Sequence, residues 1–143
     1  TVTRLSRVGF DNLIGHLEGG FEAWKKAGHE MDTVNRISAE EFEKQVTIGE
    51  SKIIDIRKES EYEAEHIEEA YSKPLAYINE WVKDINPEEH FFLHCAGGYR
   101  SMIAASMLKQ RGFDHFVDVI GGFGAIKETS LPKTDYVCPS TLL

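Results

Sequence analysis

Short hydrophobic runs alternate along the chain with segments in which apolar residues have helical spacing. Three runs rich in Ile, Val and Phe have the length of buried strands, and they cover residues 52–56, 90–94 and 116–120. Five segments have the pattern of helices: from 39 onward, 59–65, 75–82, 101–110 and from 122 onward. Strands that alternate with helices predict an α/β fold in which helices cover both faces of a parallel central sheet.

Local signals mark the ends of several predicted elements. Ser38 followed by Glu41 is a capping box, which opens the first predicted helix. Gly112 follows the last turn of the fourth predicted helix, at a position where glycine commonly ends a helix. Pro74 makes the segment 72–75 a turn or the edge of a strand. The core-facing residues of the fourth helix are predicted to be Ile103, Met107 and Leu108.

Ligand sites of open parallel sheets lie beyond the carboxyl ends of the strands. Cys95 follows the second predicted strand at that edge, and the segment from Cys95 to Ser101 leads directly into a predicted helix. Gly97 and Gly98 allow the backbone to turn tightly and to point several N–H groups inward. Ser101 is predicted to cap the helix, and Arg100 adds a positive charge. Such surroundings stabilise a thiolate, or an anion or sulfur atom bound to it.

The chain has two cysteines, Cys95 and Cys138. They could form one disulfide, but a domain of this size does not require it. An isolated cysteine at a strand end is a candidate nucleophile in a reducing compartment. The alternative is that Cys95 is only a small buried apolar residue.

Composition and charge exclude several classes of function. The 143 residues are 41% hydrophobic, which is enough for a core, and the length fits one domain with a modest extra segment. The 24 acidic side chains outnumber the 16 basic ones, for a formal charge of −8, so a nucleic-acid-binding surface is not expected. No apolar run reaches the roughly 20 residues that span a bilayer, and the N-terminus lacks the apolar core of a signal peptide. We therefore expect a cytoplasmic domain, cut from a longer chain, that binds neither nucleic acid nor membranes.

Two blocks of sequence occur twice and in the same order. GFD stands at 9–11 and again at 112–114, an offset of 103 residues. GGF-x-A-x-K stands at 19–25 and again at 121–127, an offset of 102 residues. An offset close to 100 residues is the size of a small domain, so the pattern indicates an internal repeat.

The repeat predicts the domain organisation. Residues 1–34 are interpreted as the C-terminal remnant of an upstream unit of the same type plus a linker, and residues 35–143 as the main domain. The alternative is that residues 22–26 form an ordinary surface helix whose glycines only cap it.

Four sequence blocks together resemble a known domain family. They are Asp55-Ile56-Arg57, Glu61-Tyr62 with His66-Ile67 and Ala70, Cys95 to Ser101, and Gly121-Gly122-Phe123 with Ala125. In this order, and over about residues 36–132, they resemble the motifs of rhodanese domains, the single-cysteine sulfurtransferase fold. The resemblance implies a rhodanese-like three-layer α/β fold with Cys95 as the catalytic nucleophile.

A narrower resemblance concerns the context of the domain. The segment HCAGGYRS at 94–101 is similar to that of the C-terminal rhodanese domain of bacterial metallo-β-lactamase-fold proteins related to persulfide dioxygenases. Those proteins often carry two rhodanese-like units in tandem. The resemblance therefore implies that metallo-β-lactamase-fold and rhodanese-like domains lie upstream in the parent protein. No H-x-H-x-D-H metal signature occurs in this chain, and neither a metal nor a cofactor is expected in it.

The resemblance also implies a two-step transfer of sulfur through Cys95. The thiolate attacks the outer sulfur of thiosulfate or of a low-molecular-weight persulfide, and the Cys95 persulfide then passes its sulfur to a thiol, sulfite or cyanide. Four residues separate Cys95 from Arg100. In the family this short loop fits a sulfur atom, whereas related phosphatases and arsenate reductases have one more residue. The alternatives are a non-catalytic persulfide-binding or docking module of a larger enzyme and, less favoured by the loop length, a phosphatase or arsenate reductase.

Supporting roles are implied for the remaining residues of the site. The active-site loop comprises Ala96, Gly97, Gly98, Tyr99, Arg100 and Ser101. Arg100 is expected to position the loop or the negative charge of the donor, and Tyr99 to line the entrance. Asp55 and Arg57 are expected to orient the loop through hydrogen bonds or an ion pair, with direct contact between Arg57 and substrate as the alternative. A further hypothesis is that Cys138 resolves a Cys95 persulfide by forming a disulfide.

Overall fold

The computed structural model describes residues 12–48 and 52–138. The chain divides into two units, Thr1–Thr33 and Val34–Leu143. Within the described residues, no helix is long and apolar enough to cross a membrane.

The second unit is built on a parallel sheet. Its described strands are β1 (Arg36–Ile37), β2 (Lys52–Asp55), β3 (Ala70–Ser72), β4 (Phe91–His94) and β5 (Phe116–Val119). They lie in the order β1-β5-β4-β2-β3, and every pairing is parallel. The helices of the chain are α1 (Gly20–Lys26, in the first unit), α2 (Ala39–Ile48), α3 (Glu59–Ala64), α4 (Ile78–Trp81), α5 (Tyr99–Gln110) and α6 (Gly122–Ile126). The predicted α/β fold with a parallel central sheet is confirmed.

Successive residues of the central strands pack on opposite faces of the sheet. Ile54 and Leu93 belong to one buried cluster, which α4 and α5 cover. Ile53 and Phe92 belong to the other, which α2 and α6 cover. Strands buried on both faces must be apolar at nearly every position, which is why they stand out as continuous hydrophobic runs.

The ends of several elements differ from the predictions. The helix predicted over 75–82 is a short α4 between two 3₁₀ turns, Leu75–Tyr77 and Val82–Asp84. Where a turn or strand edge was expected at 72–75, β3 ends at Ser72, just before Pro74. The short edge strands β1 and β3 lack a long apolar run and were not predicted as strands.

The helix α5 begins at Tyr99, two residues before the predicted start. Its buried residues are Ser101, Ala104, Ala105 and Leu108, which are mostly small. The prediction that Ile103 faces the core is wrong, because that side chain is 42% exposed. Small residues on the inner face let the helix approach the sheet closely, and this moves the large apolar Ile103 to the outside.

The first unit contains α1, whose local geometry matches that of α6. Gly19 and Gly20 have φ angles of 75° and 57°, and Gly121 and Gly122 have 78° and 56°. The repeated GGF block therefore adopts the same backbone turn twice. Its aromatic residue is 65% exposed in the first copy, as Phe21, and 4% exposed in the second, as Phe123. The interpretation of residues 1–34 as a domain remnant stays a prediction, and the GFD block at 9–11 lies outside the described residues.

Candidate active site

Cys95 lies directly after β4, at the carboxyl edge of the sheet, and is 1% exposed. The backbone N–H of Gly98 donates a hydrogen bond to its Sγ at 3.1 Å. The Oγ of Ser101 lies 3.6 Å from the same sulfur. The loop thus folds back over Cys95, with the Gly98 N–H donating to its sulfur and the Ser101 hydroxyl oxygen accepting from the thiol.

The pKa of the Cys95 thiol is lowered by this arrangement. Burial alone would raise the pKa, because it disfavours the charged thiolate. Hydrogen bonds from the Ser101 side chain and from the backbone of Ser101, Gly97 and Gly98 outweigh the burial effect. The net direction favours the thiolate, which is the nucleophilic form of a cysteine.

The start of α5 is formed by glycine and not by the predicted serine cap. Gly98 occupies the cap position with φ of 92°, a left-handed conformation that favours glycine. Ser101 is already inside the helix, fully buried, and its hydroxyl donates to the carbonyl of Gly98 at 3.2 Å. The prediction that Ser101 caps the helix is therefore wrong. Its hydroxyl instead links the loop backbone to the sulfur.

Backbone N–H groups at the N-terminus of α6 hydrogen-bond to the first two residues of the loop. The N–H of Phe123 donates to the carbonyl of Cys95 at 2.7 Å, and the N–H of Gly124 donates to the carbonyl of Ala96 at 2.9 Å. A Cβ added to Gly122 would lie 2.3 Å from the Cys95 carbonyl oxygen, so only glycine fits there. Gly122, Phe123 and Gly124 were not predicted to be site residues. The repeated GGF block was the available signal.

Arg100 is engaged by a carboxylate. Its Nη1 and Nη2 donate to the two carboxylate oxygens of Glu61 at 2.6 and 2.8 Å. These hydrogen bonds from Arg100 are the main cause that lowers the pKa of Glu61 to about 2. Arg100 thus links the loop to α3. Whether it positions the loop or the negative charge of the donor stays a prediction. Glu61 belongs to the Glu61-Tyr62 block that resembles the family motif, but it was not predicted to be a site residue.

Asp55 and Arg57 form a buried pair below the loop. The Nη2 and Nε of Arg57 lie 2.6 and 2.8 Å from Asp55 Oδ2, and the guanidinium carbon lies 3.9 Å from the centre of the Phe123 ring. Arg57 also donates to the carbonyl of Glu65 at 2.8 Å. Within the described residues, neither side chain hydrogen-bonds to the 95–101 loop. The two side chains form an ion pair with each other, and Arg57 packs against Phe123. Their role in orienting the loop stays a prediction.

His94 is buried behind Cys95. Its Nδ1 lies 3.3 Å from the Cys95 carbonyl oxygen, and its Nε2 has no hydrogen-bond partner among the described residues. Burial lowers the pKa of His94, so the ring is neutral. The neutral ring shields the back of the loop and adds no charge to it.

Tyr99 and the outer residues of the loop border a groove. Tyr99 is 79% exposed and lines the groove together with Gly97 and Gly98, whose backbone N–H groups hydrogen-bond the Cys95 sulfur. Among the residues of 12–48 and 52–138, no group of three His, Cys, Asp or Glu side chains is placed to hold a metal ion. The chemistry that the site itself offers is that of an activated thiolate beside several N–H donors.

Removing the Ser101 hydroxyl tests the cause of the lowered thiol pKa. In Ser101→Ala we expect the pKa of Cys95 to rise, because one hydrogen bond to the thiolate is lost while the backbone N–H groups remain. In the native chain the lowered pKa keeps Cys95 as a thiolate down to a lower pH. As the pH falls, the variant should therefore lose its reactivity at a higher pH than the native chain. The measurement is alkylation of Cys95 by iodoacetamide against pH, resolved by peptide mass. Ser106→Ala, on the exposed face of the same helix, is the control. An unchanged midpoint in Ser101→Ala would contradict the assignment.

Comparison with known proteins gives a consistent result. A family model described as the rhodanese-like domain matches residues 38–129. A thiosulfate sulfurtransferase, GlpE, of Coxiella burnetii is 32% identical over 71 residues, which are 50% of this chain and 66% of that protein. The YrkF protein of Bacillus subtilis is 32% identical over 91 residues, which are 63% of this chain and 49% of YrkF. The chain thus spans about half of the length of YrkF and 66% of the length of GlpE.

Solved structures show the same fold. The crystal structure of a rhodanese-like domain protein from Staphylococcus aureus superposes with a TM-score of 0.63 at 27% identity, and the match covers 69% of this chain and 97% of that one. A rhodanese-related protein from Thermoplasma volcanium superposes with a TM-score of 0.63 at 25% identity, covering 70% and 97% of the two chains.

Proposed function

Because the chain belongs to the rhodanese-like domain family, we propose that it is a sulfurtransferase domain in which Cys95 carries sulfur as a persulfide. The observation that carries the proposal is the environment of the Cys95 sulfur. It is buried, it receives the Gly98 N–H at 3.1 Å, and its thiol pKa is lowered by hydrogen bonds that outweigh burial. The same N–H donors that stabilise a thiolate also stabilise the terminal sulfur of a persulfide anion.

The proposed first half-reaction loads the cysteine. The Cys95 thiolate attacks the outer sulfur of thiosulfate, a new S–S bond forms, the S–S bond of thiosulfate breaks, and sulfite leaves with the bonding electron pair. A low-molecular-weight persulfide reacts in the same way and releases a thiolate. In the second half-reaction a thiol, sulfite or cyanide attacks the terminal sulfur, and the Cys95 thiolate is restored. The name of the Coxiella relative, a thiosulfate sulfurtransferase, supports thiosulfate as one donor.

The loop geometry supports sulfur transfer over ester hydrolysis. Both terminal nitrogens of Arg100 donate to Glu61, so an oxyanion would have to compete with this carboxylate for the guanidinium. Phosphatase chemistry calls for a cation that contacts the oxyanion, together with a loop wide enough for it. The intact Cys95 and the lowered pKa of its thiol also support catalysis over a purely docking role.

Intact mass spectrometry tests the proposed function. The native chain is incubated separately with thiosulfate and with glutathione persulfide, and peptide mapping locates any added mass. We expect a gain of one sulfur atom on Cys95 that cyanide removes. No gain from either donor would overturn the proposal. A gain located on Cys138 would assign the carrier role to the other cysteine.

We also propose the tandem context that the narrower resemblance implies, with metallo-β-lactamase-fold and rhodanese-like domains upstream. Its support is the repeated GGF block and the matching backbone turns at Gly19–Gly20 and Gly121–Gly122. The coding sequence upstream of Thr1 tests it, because a second D-x-R strand end is expected there at an offset near 100 residues from Asp55.

A further inference from the structure

An apolar groove lies beside the active-site loop. Its volume is about 870 Å³ and it is lined by Arg36, Gly97, Gly98, Tyr99, Met102, Ile103, Ser106, Met107, Ile120 and Gly121. Gly97 and Gly98 belong to the loop whose backbone hydrogen-bonds the Cys95 sulfur. A molecule in the groove therefore lies against the loop that surrounds the Cys95 sulfur. The volume is in the range of sites that bind organic ligands, and it far exceeds what a small inorganic anion requires.

Arg36 is the one charged residue of the groove wall within the described chain. Its Nε donates to Oδ2 of Asp118 at 2.8 Å, across the β1–β5 pairing. Asp118 is fully buried, and its other carboxylate oxygen has no hydrogen-bond partner among the described residues. The buried carboxylate thus holds the guanidinium by one edge and fixes where it lies.

The remaining donors of Arg36 are available to a ligand. The side chain is 37% exposed, and within residues 12–48 and 52–138 its two Nη groups have no hydrogen-bond partner. An ideal Cβ placed on Gly98 would lie 3.7 Å from Nη2, so the guanidinium borders the residue whose N–H contacts the sulfur. Two parallel N–H groups of a fixed guanidinium match the two oxygens of a carboxylate.

We propose that this groove binds the organic part of a carboxylate-bearing low-molecular-weight persulfide, with Arg36 as the residue that recognises the carboxylate. The inference rests on the proposed function, and it names the donor class. In the reaction, Cys95 Sγ bonds to the terminal sulfur of the donor R–S–SH, and the donor S–S bond breaks. The thiolate R–S⁻ leaves with the electron pair, while the proton stays on the transferred sulfur. Arg36 acts as a specificity-determining residue and takes no part in bond making.

The test compares glutathione persulfide with the persulfide of glutathione diethyl ester, in which both carboxylates are masked. The readout is the ratio of the two second-order rate constants for Cys95 loading, followed by intact mass. Arg36 alone is not replaced, because that would leave Asp118 as an unpaired buried charge. The double variant Arg36→Gln/Asp118→Asn removes both charges together. We expect the native chain to prefer the free acid, and the double variant to lose about tenfold of that preference.

Three further variants make the result specific to the groove. Lys109→Gln/Asp114→Asn removes another ion pair, 2.7 Å long, with the same change in net charge, and should leave the ratio unchanged. Ile103→Glu adds a negative charge on the exposed groove wall and should lower the ratio, whereas Ile103→Gln should not. The two substitutions of the exposed Ile103 test the groove even if Arg36→Gln/Asp118→Asn does not fold.

The outcomes separate this inference from the proposed function. If Cys95 loads from both persulfides but neither Arg36→Gln/Asp118→Asn nor Ile103→Glu changes the ratio, the groove proposal is overturned and the proposed function stands. If the native chain loads from neither persulfide nor thiosulfate, both are overturned. A reduced ratio in both variants, with the two controls unchanged, supports Arg36 as the carboxylate-binding residue.

Discussion

Cys95→Ser is expected to abolish sulfur loading to below detection, while Cys138→Ser leaves it unchanged. A serine hydroxyl at this position is not ionised near neutral pH and forms no persulfide, although it keeps the Gly98 N–H as a hydrogen-bond partner. Cys138 is exposed and lies outside the loop that stabilises the thiolate. The measurement is the cyanide-reversible mass gain after incubation with each sulfur donor.

The fold of the Cys95→Ser variant should be intact, because the substitution changes the volume of the side chain only slightly. Its melting temperature is therefore expected to stay within about 4–8 °C of the native value, the shift that roughly 1 kcal/mol produces in a small domain. If Cys95→Ser still gained a removable sulfur, Cys138 would be the carrier. If Cys138→Ser lost the transfer of sulfur but kept the loading, the resolving role suggested for Cys138 would be supported.

Gly122→Ala is expected to destabilise the domain by about 2–5 kcal/mol and to slow sulfur loading strongly. The residue has φ of 56°, in the left-handed region. The added Cβ would lie 2.3 Å from the Cys95 carbonyl oxygen and 2.9 Å from the carbonyl carbons of Cys95 and Ala96. Those contacts are backbone atoms of the active-site loop, so the loop itself must move away.

Gly112→Ala is the matched control for this prediction. Gly112 also has a positive φ, of 83°, but a Cβ there meets no atom within 4 Å. Gly112→Ala should therefore destabilise the domain by only about 1 kcal/mol, because of the backbone conformation alone. It should leave sulfur loading unchanged. Urea-induced unfolding and the rate of Cys95 loading are measured for both variants. Equal effects of the two substitutions would show that glycine is needed at position 122 for its backbone conformation alone, and that the close contact with the loop does not matter.

The central strands and the reactive loop could be predicted from the sequence because their signals are local. β2, β4 and β5 are buried on both faces, so nearly every position is apolar and the runs are visible in the sequence. The loop from Cys95 to Ser101 is contiguous, and its glycines, cysteine and arginine stand at short spacing. The edge strands β1 and β3, with two and three residues, depend on their neighbours and leave no such signal.

The start of α5 shows where local reasoning fails. Ser101 has the composition of a helix cap, but Gly98 takes that position because the loop needs a left-handed residue there. The inner face of the helix consists of small residues, so that Ala104 and Ala105 face the sheet, and Ile103 lies on the exposed side. The side chain that seemed to belong to the core thereby becomes part of the groove wall.

Local patterns were enough to predict the fold class, and they marked Cys95 and the loop around it as the candidate site. The distant residues that complete the site become visible in the folded chain alone. Glu61 reaches Arg100 across 39 positions, Arg36 reaches Asp118 across 82, and α6 supplies the N–H groups that hold the Cys95 and Ala96 carbonyls. The physical reason is that a parallel sheet brings the carboxyl ends of strands together from remote parts of the chain, and ion pairs and close backbone contacts between them leave no periodic pattern in the sequence.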